Sequence, residues 1–101
     1  MKTWDFDDYS VTVPDSHYDL YDDNIEVFVI LKSGERYKTT LFTDTYERKL
    51  KSRLQLGEKS SFDLYFAIRI TVSDLADETI LAMVADVMAN KRLRRVFDRY
   101  E

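Results

Sequence analysis

Apolar residues crowd the stretch from Val27 to Leu31, and a second β-rich run, Arg36 to Thr43, follows across the short turn Lys32-Ser33-Gly34-Glu35. Two such runs joined by a Gly-containing turn read as a β-hairpin. A strand with one solvated face alternates apolar with polar residues. The run Val27 to Leu31 does not, so it is expected to be a central strand with both faces covered. Further along, Phe62, Leu64, Phe66, Ile68, Ile70 and Val72 alternate with Asp63, Tyr65, Ala67, Arg69 and Thr71. That strict period of two sets one face on a core and puts Tyr65 and Arg69 on the other. Upstream, Trp4 and Phe6 alternate, as do Tyr9, Val11 and Val13, so residues 3 to 13 read as one strand or two short ones before Pro14.

Helical spacing appears in three places. Tyr46, Leu50 and Leu54 recur at i, i+4 and i+8, predicting a helix over 45–55 with Thr43 or Asp44 as its N-cap and Gly57 as its C-terminal stop. Ile80, Leu81, Val84, Val87 and Met88 predict a longer helix over 75–90, capped by Ser73 or Asp74 and stopped at Asn90. Asp74, Asp77 and Glu78 place negative charge in its first turn, where the helix dipole favours it. Leu93, Val96, Phe97 and Tyr100 continue at helical spacing and suggest a second short helix docked on the same core. The elements predict an α+β fold in the order (β)-β-β-α-β-α-α, with an antiparallel sheet and helices packed on one face. Residues 1–101 form a single domain, for which the length is sufficient.

Composition sharpens this picture in one respect. The net charge of −4 is unevenly distributed: residues 1–26 hold eight carboxylates against Lys2 alone, whereas the remaining 75 residues carry more cations than anions. Within the acidic segment the run from Asp15 to Asn24 has the Asp, Asn and Ser content of a loop, and it is long for a connection in a small domain. Tyr18, Asp19, Tyr21, Asp22 and Asp23 combine large aromatic contact surfaces with charges that steer a basic partner, and are the candidate binding residues. Trp4 and Phe6 read as core before interface.

Candidate chemistry is narrowed by what the chain lacks. With no cysteine there is neither a disulfide nor a thiolate nucleophile, and the single histidine, His17, cannot build a zinc cluster. Two glycines, Gly34 and Gly57, are too few for a phosphate-cradling loop. No EF-hand spacing is present among the aspartates. The expectation is a non-enzyme without metal or cofactor. The acidic N-terminus does not read as a signal peptide, and the longest apolar run falls far short of the roughly 20 residues that cross a bilayer. A cytoplasmic protein without membrane contact is expected.

Gly34, Tyr37, Thr40, Phe42 and Thr43, the amphipathic helix after them, the aromatic strand 62–72, then Asp74-Leu75 with Glu78 and Ile80, and Val96-Phe97 near the end resemble a group of small bacterial proteins. In size, acidity, lack of cysteine and α+β plan, the chain is also similar to immunity proteins that neutralise toxins of polymorphic or contact-dependent growth inhibition systems. That resemblance implies a cytoplasmic inhibitor that occludes the active site of a basic nuclease toxin. It carries over no binding residue. Two alternatives stay open. One is a nucleic-acid-binding or regulatory module using Arg48, Lys49, Lys51 and Arg53 with Lys91, Arg92, Arg94 and Arg95, the weaker reading for an acidic protein. The other is a homo-oligomer joining the acidic segment of one chain to the basic tail of the next.

Overall fold

The computed structural model describes residues 1–15, 18–55 and 69–100. Its elements run β1 (Lys2–Asp5), β2 (Tyr9–Val13), β3 (Asn24–Leu31), β4 (Arg36–Thr43), α1 (Asp44–Gln55), β5 (Arg69–Val72), α2 (Asp77–Ala89), α3 (Leu93–Val96) and β6 (Asp98–Tyr100). The sheet order is β1-β2-β3-β4-β5, with β6 also paired to β4. The chain is α+β, as the periodicities predict, and the residues before Pro14 form two short strands.

The β3–β4 hairpin sits at the middle of the sheet. Its turn is closed by the Gly34 N–H donating to the Leu31 carbonyl at 2.9 Å, and by the Leu31 N–H donating to the Glu35 carbonyl at 2.9 Å. Gly34 has φ 97°, a left-handed conformation in which any Cβ is strained, so glycine is required here by backbone geometry alone.

Register explains how the strands make a core. Trp4, Val11, Val29 and Tyr37 lie side by side across four strands, and Ile25, Leu41 and Ile70 make a second row. Val11, Val27, Val29 and Leu41 on this face are fully buried, and α2 covers them with Ile80, Val84 and Val87. Each such side chain contributes about 1.5–3 kcal/mol relative to exposure. The opposite face of β3 departs from the expectation of full cover. Phe28 and Ile30 are only half-buried, with Phe28 meeting Tyr100 edge-on at 5.6 Å. An unbroken apolar run therefore marks one dry face and one aromatic, partly wet face. Phe42, also outside the main core cluster, is buried at the end of β4, where Tyr46 of α1 packs on it at 5.8 Å.

The pairing of β4 with β5 is parallel, because the return from β4 passes through α1 and re-enters in the same direction. Ile70 and Val72 pack on the core, as their period predicts. Gly57, Tyr65 and the strand residues before Arg69 lie outside the described residues.

The helix ends are set by local hydrogen bonds. The Thr43 hydroxyl accepts the Tyr46 N–H at 3.2 Å and caps α1. At α2 the expected cap is displaced: the N-cap position is Ala76, which has no side chain to serve, and Asp74 acts from two residues upstream. Its Oδ1 accepts the Ala76 N–H at 2.9 Å and the Thr79 hydroxyl at 2.6 Å. The Thr79 hydroxyl first, and the Ala76 N–H second, hold the Asp74 carboxyl below its ordinary value. A carboxyl depressed in the folded state adds stability above its unfolded value, near pH 3.9, and loses it as pH falls through the folded value. Asp74→Ala is thus expected to melt at a lower temperature than wild type near neutral pH, with the gap narrowing in acid. Melts across a pH series check this; a gap that stays constant into acid would show that the charge has no part in it.

The far end of α2 closes in a Schellman motif. The Arg92 N–H donates to the Val87 carbonyl at 2.9 Å and the Lys91 N–H to the Met88 carbonyl at 3.2 Å, with Asn90 as C-cap. Lys91 takes the left-handed position, φ 54°, where glycine is usual. Relieving that strain in Lys91→Gly is expected to raise stability by about 1 kcal/mol, measured by urea unfolding, whereas Lys91→Ala gives no such gain. An unchanged midpoint for the glycine variant would mean the lysine side chain offsets the strain.

The expected second helix is cut short. α3 ends at Val96, Phe97 turns extended (φ −109°, ψ 151°), and Asp98–Tyr100 pair antiparallel with Arg36–Lys38 of β4. Leu93 and Phe97 are buried, and Tyr100 passes to the other sheet face beside Phe28.

Candidate partner-binding surface

The loop after Pro14 is built by its own aspartates. The Asp19 carboxylate accepts the Tyr21 N–H at 2.9 Å, an Asx-turn closed two residues on. Asp23 accepts the Asp19 N–H at 3.1 Å with one oxygen and the Asn24 N–H at 2.8 Å with the other. Its backbone is tied to β4: the Asp23 N–H donates to the Thr43 hydroxyl at 3.1 Å, and the Thr43 N–H returns to the Asp23 carbonyl at 3.1 Å. Thr43, fully buried, therefore holds the end of the loop and the start of α1 at once. A further tie runs from the Leu75 N–H to the Leu20 carbonyl at 2.8 Å.

These ties sort the five candidate residues. Asp19 and Asp23 are spent on backbone donors. Asp22 forms an ion pair with Lys49 of α1, so one of the four cations proposed as a basic helix face is already matched by the acidic loop. Tyr18 is half-buried against the core, with the Lys2 ammonium 6.0 Å from its ring centre. Tyr21 is widely exposed, at 65%, and of the other four only Asp19 is exposed. Beside it Leu20 is 43% exposed.

Leu20 was not among the residues the sequence singled out, although a lone aliphatic side chain inside an Asp-rich run is a readable signal. The acidic surface is also larger than the loop. The Leu20–Leu75 bond sets the loop against the start of α2, so Asp74, Asp77 and Glu78 belong to the same end of the molecule as Asp19 and Asp22. Within it, Lys2 pairs with Asp77 at 2.6 Å, which raises the lysine above its ordinary value. The arrangement is an apolar tip, Leu20 and Tyr21, held on a braced loop and bordered by carboxylates.

The other candidates are placed as follows. Trp4 is half-buried against the core, while Phe6 is 39% exposed at the β1–β2 turn and packs on Tyr9 at 5.1 Å. Arg48 is exposed. His17 and the side chains of Lys51, Arg53 and Arg69 lie outside the described residues. Among the described residues no group of three His, Cys, Asp or Glu side chains is placed to hold a metal ion, and no helix is long and apolar enough to cross a membrane. In comparisons with protein-family models, curated proteins and solved structures, none matches the chain.

Proposed function

We propose that this chain is a binding protein that seats its Leu20–Tyr21 tip on a basic protein partner and blocks it, without catalysis of its own. The observation that carries the reading is the tip itself. Exposed large apolar side chains are few among the described residues, and here two are adjacent, on a loop braced to β4 and α2 and bordered by carboxylates. An apolar centre with a polar rim is the anatomy of a protein interface, and a braced loop loses little conformational entropy on binding. Carboxylates around it draw in a cationic partner and orient its approach.

The similarity in size and charge to immunity proteins makes a basic nuclease toxin, occluded at its active site in the cytoplasm, the partner that fits this surface. The test is co-expression with any toxin domain found encoded beside this chain's gene. Wild-type chain restores growth and co-purifies with the toxin; failure to do either overturns the inhibitor reading. A concentration-dependent assembly of the chain alone that dissolves in salt would favour the head-to-tail homo-oligomer instead.

A further inference from the structure

At the other end of β3, where the Lys32 N–H donates to the Asp8 carbonyl of the acidic β1–β2 turn at 3.2 Å, arginines gather on the side of the hairpin away from that turn. The hairpin turn, α3 and β6, far apart in sequence, converge around Glu35. One Glu35 oxygen is approached by Arg94 at 3.7 Å and by Arg99 at 3.6 Å, and the other accepts the Tyr37 hydroxyl at 3.3 Å. Arg99 also lines a hollow of about 480 Å³ with Ser33, Gly34, Glu35, Arg36 and Tyr100. A second hollow of about 300 Å³ adjoins Arg94, Tyr37, Phe97 and Asp98 on the other side of Arg99.

We propose that the two hollows that share Arg99 form one phosphate-binding site for a nucleotide, in which Arg94 and Arg99 grip the phosphate and Glu35 is the internal counter-ion that the phosphate displaces. Contacts of 3.6 and 3.7 Å are long for a charge-assisted hydrogen bond, so both guanidinium groups hold the carboxylate loosely, and Arg94 has the Tyr37 hydroxyl as a further partner. Because both reach toward the same Glu35 oxygen, an oxyanion that displaces it meets donors from both guanidinium groups. Arg36 adds a third guanidinium at the rim, so the hollow keeps a positive excess even with Glu35 in place. Planar forks presented this way suit phosphate better than a lone ammonium does. Tyr100 lines the larger hollow with Arg36 and Arg99 and offers a ring to a base, the aromatic platform that the basic tail lacks when read as sequence. This site lies a strand's length from the acidic tip and does not depend on the inhibitor reading.

Isothermal titration of the whole chain with inorganic phosphate, adenosine 5′-monophosphate, adenosine and a ten-nucleotide single strand tests it. The monophosphate is expected to bind with a Kd on the order of 1 mM or tighter, and adenosine not to bind. Glu35→Gln is expected to bind the monophosphate about tenfold more tightly, since the competing carboxylate is gone, and Arg94→Gln with Arg99→Gln to lose at least as much. Tyr100→Ala weakens the nucleotide and leaves inorganic phosphate unaffected. A single strand that binds more tightly than the monophosphate, with a steeper salt dependence, identifies nucleic acid as the source of the phosphate; equal affinity identifies the free nucleotide. Adenosine binding as well as its monophosphate, or a folded Glu35→Gln with unchanged affinity, overturns the proposal. So does the absence of binding by any phosphate compound at 10 mM or so.

Discussion

Replacing Phe97 by alanine is expected to cost about 3–5 kcal/mol of folding stability, the range for emptying a buried aromatic site. Phe97 is 3% exposed and stands where α3 becomes β6, so its ring closes the core under β4 while its backbone redirects the chain. A domain of this size holds about 5–15 kcal/mol in all, so the loss takes at least about a fifth of it. The urea midpoint should fall accordingly, and hydrogen exchange should accelerate first at the amides of β6 and of Arg36–Lys38, which pair with it. Tyr100→Ala, three residues on and half-exposed, should cost clearly less. If the two variants lost the same stability, the core role assigned to Phe97 would be wrong.

That same turn marks where the sequence stops being readable. Leu93, Val96, Phe97 and Tyr100 have helical spacing, and the first four-residue step does what the pattern asks: Leu93 and Phe97 both reach the core. What the pattern does not contain is the need of β4. Its residues Thr40–Thr43 pair with β5 and leave Arg36–Lys38 without a neighbour on that side, so three tail residues gain more as a ladder than as a second helical turn. A helix of four residues has little cooperative strength to resist. By contrast the place and turn of the β3–β4 hairpin were legible, because Gly34 is a local requirement and the β-rich runs beside it need no partner to be seen, although the unbroken apolar run of β3 overstated how far its second face is covered.

The candidate surface divides along the same line. Composition alone marks residues 15–24 as acidic and aromatic. It does not say which aspartates serve the fold, since that depends on Thr43, Lys49 and Leu75, all distant in sequence. Nor does it show Glu35 drawing Arg94 and Arg99 together from α3 and β6. Linear charge runs were visible, whereas their matching was a product of the sheet.

Tyr21→Ala is therefore expected to weaken partner binding by about 2 kcal/mol or more, roughly thirtyfold, chiefly through faster dissociation. The side chain is 65% exposed, so the melting temperature should barely move, as for other surface substitutions of about ±0.5 kcal/mol. Asp22→Asn should act on the other rate: it removes a charge at the rim, slows association, and has less effect as salt rises. Asp23→Ala belongs to neither class. It strips acceptors from the Asp19 and Asn24 N–H groups, loosens the loop, and should lower stability by about 1 kcal/mol before any binding is measured. Stopped-flow association and dissociation rates with the proposed partner, alongside melts of each variant, separate the three. Were Tyr21→Ala to dissociate no faster than wild type while Asp22→Asn associated just as quickly, the Leu20–Tyr21 tip would be solvated surface and the partner would have to sit elsewhere.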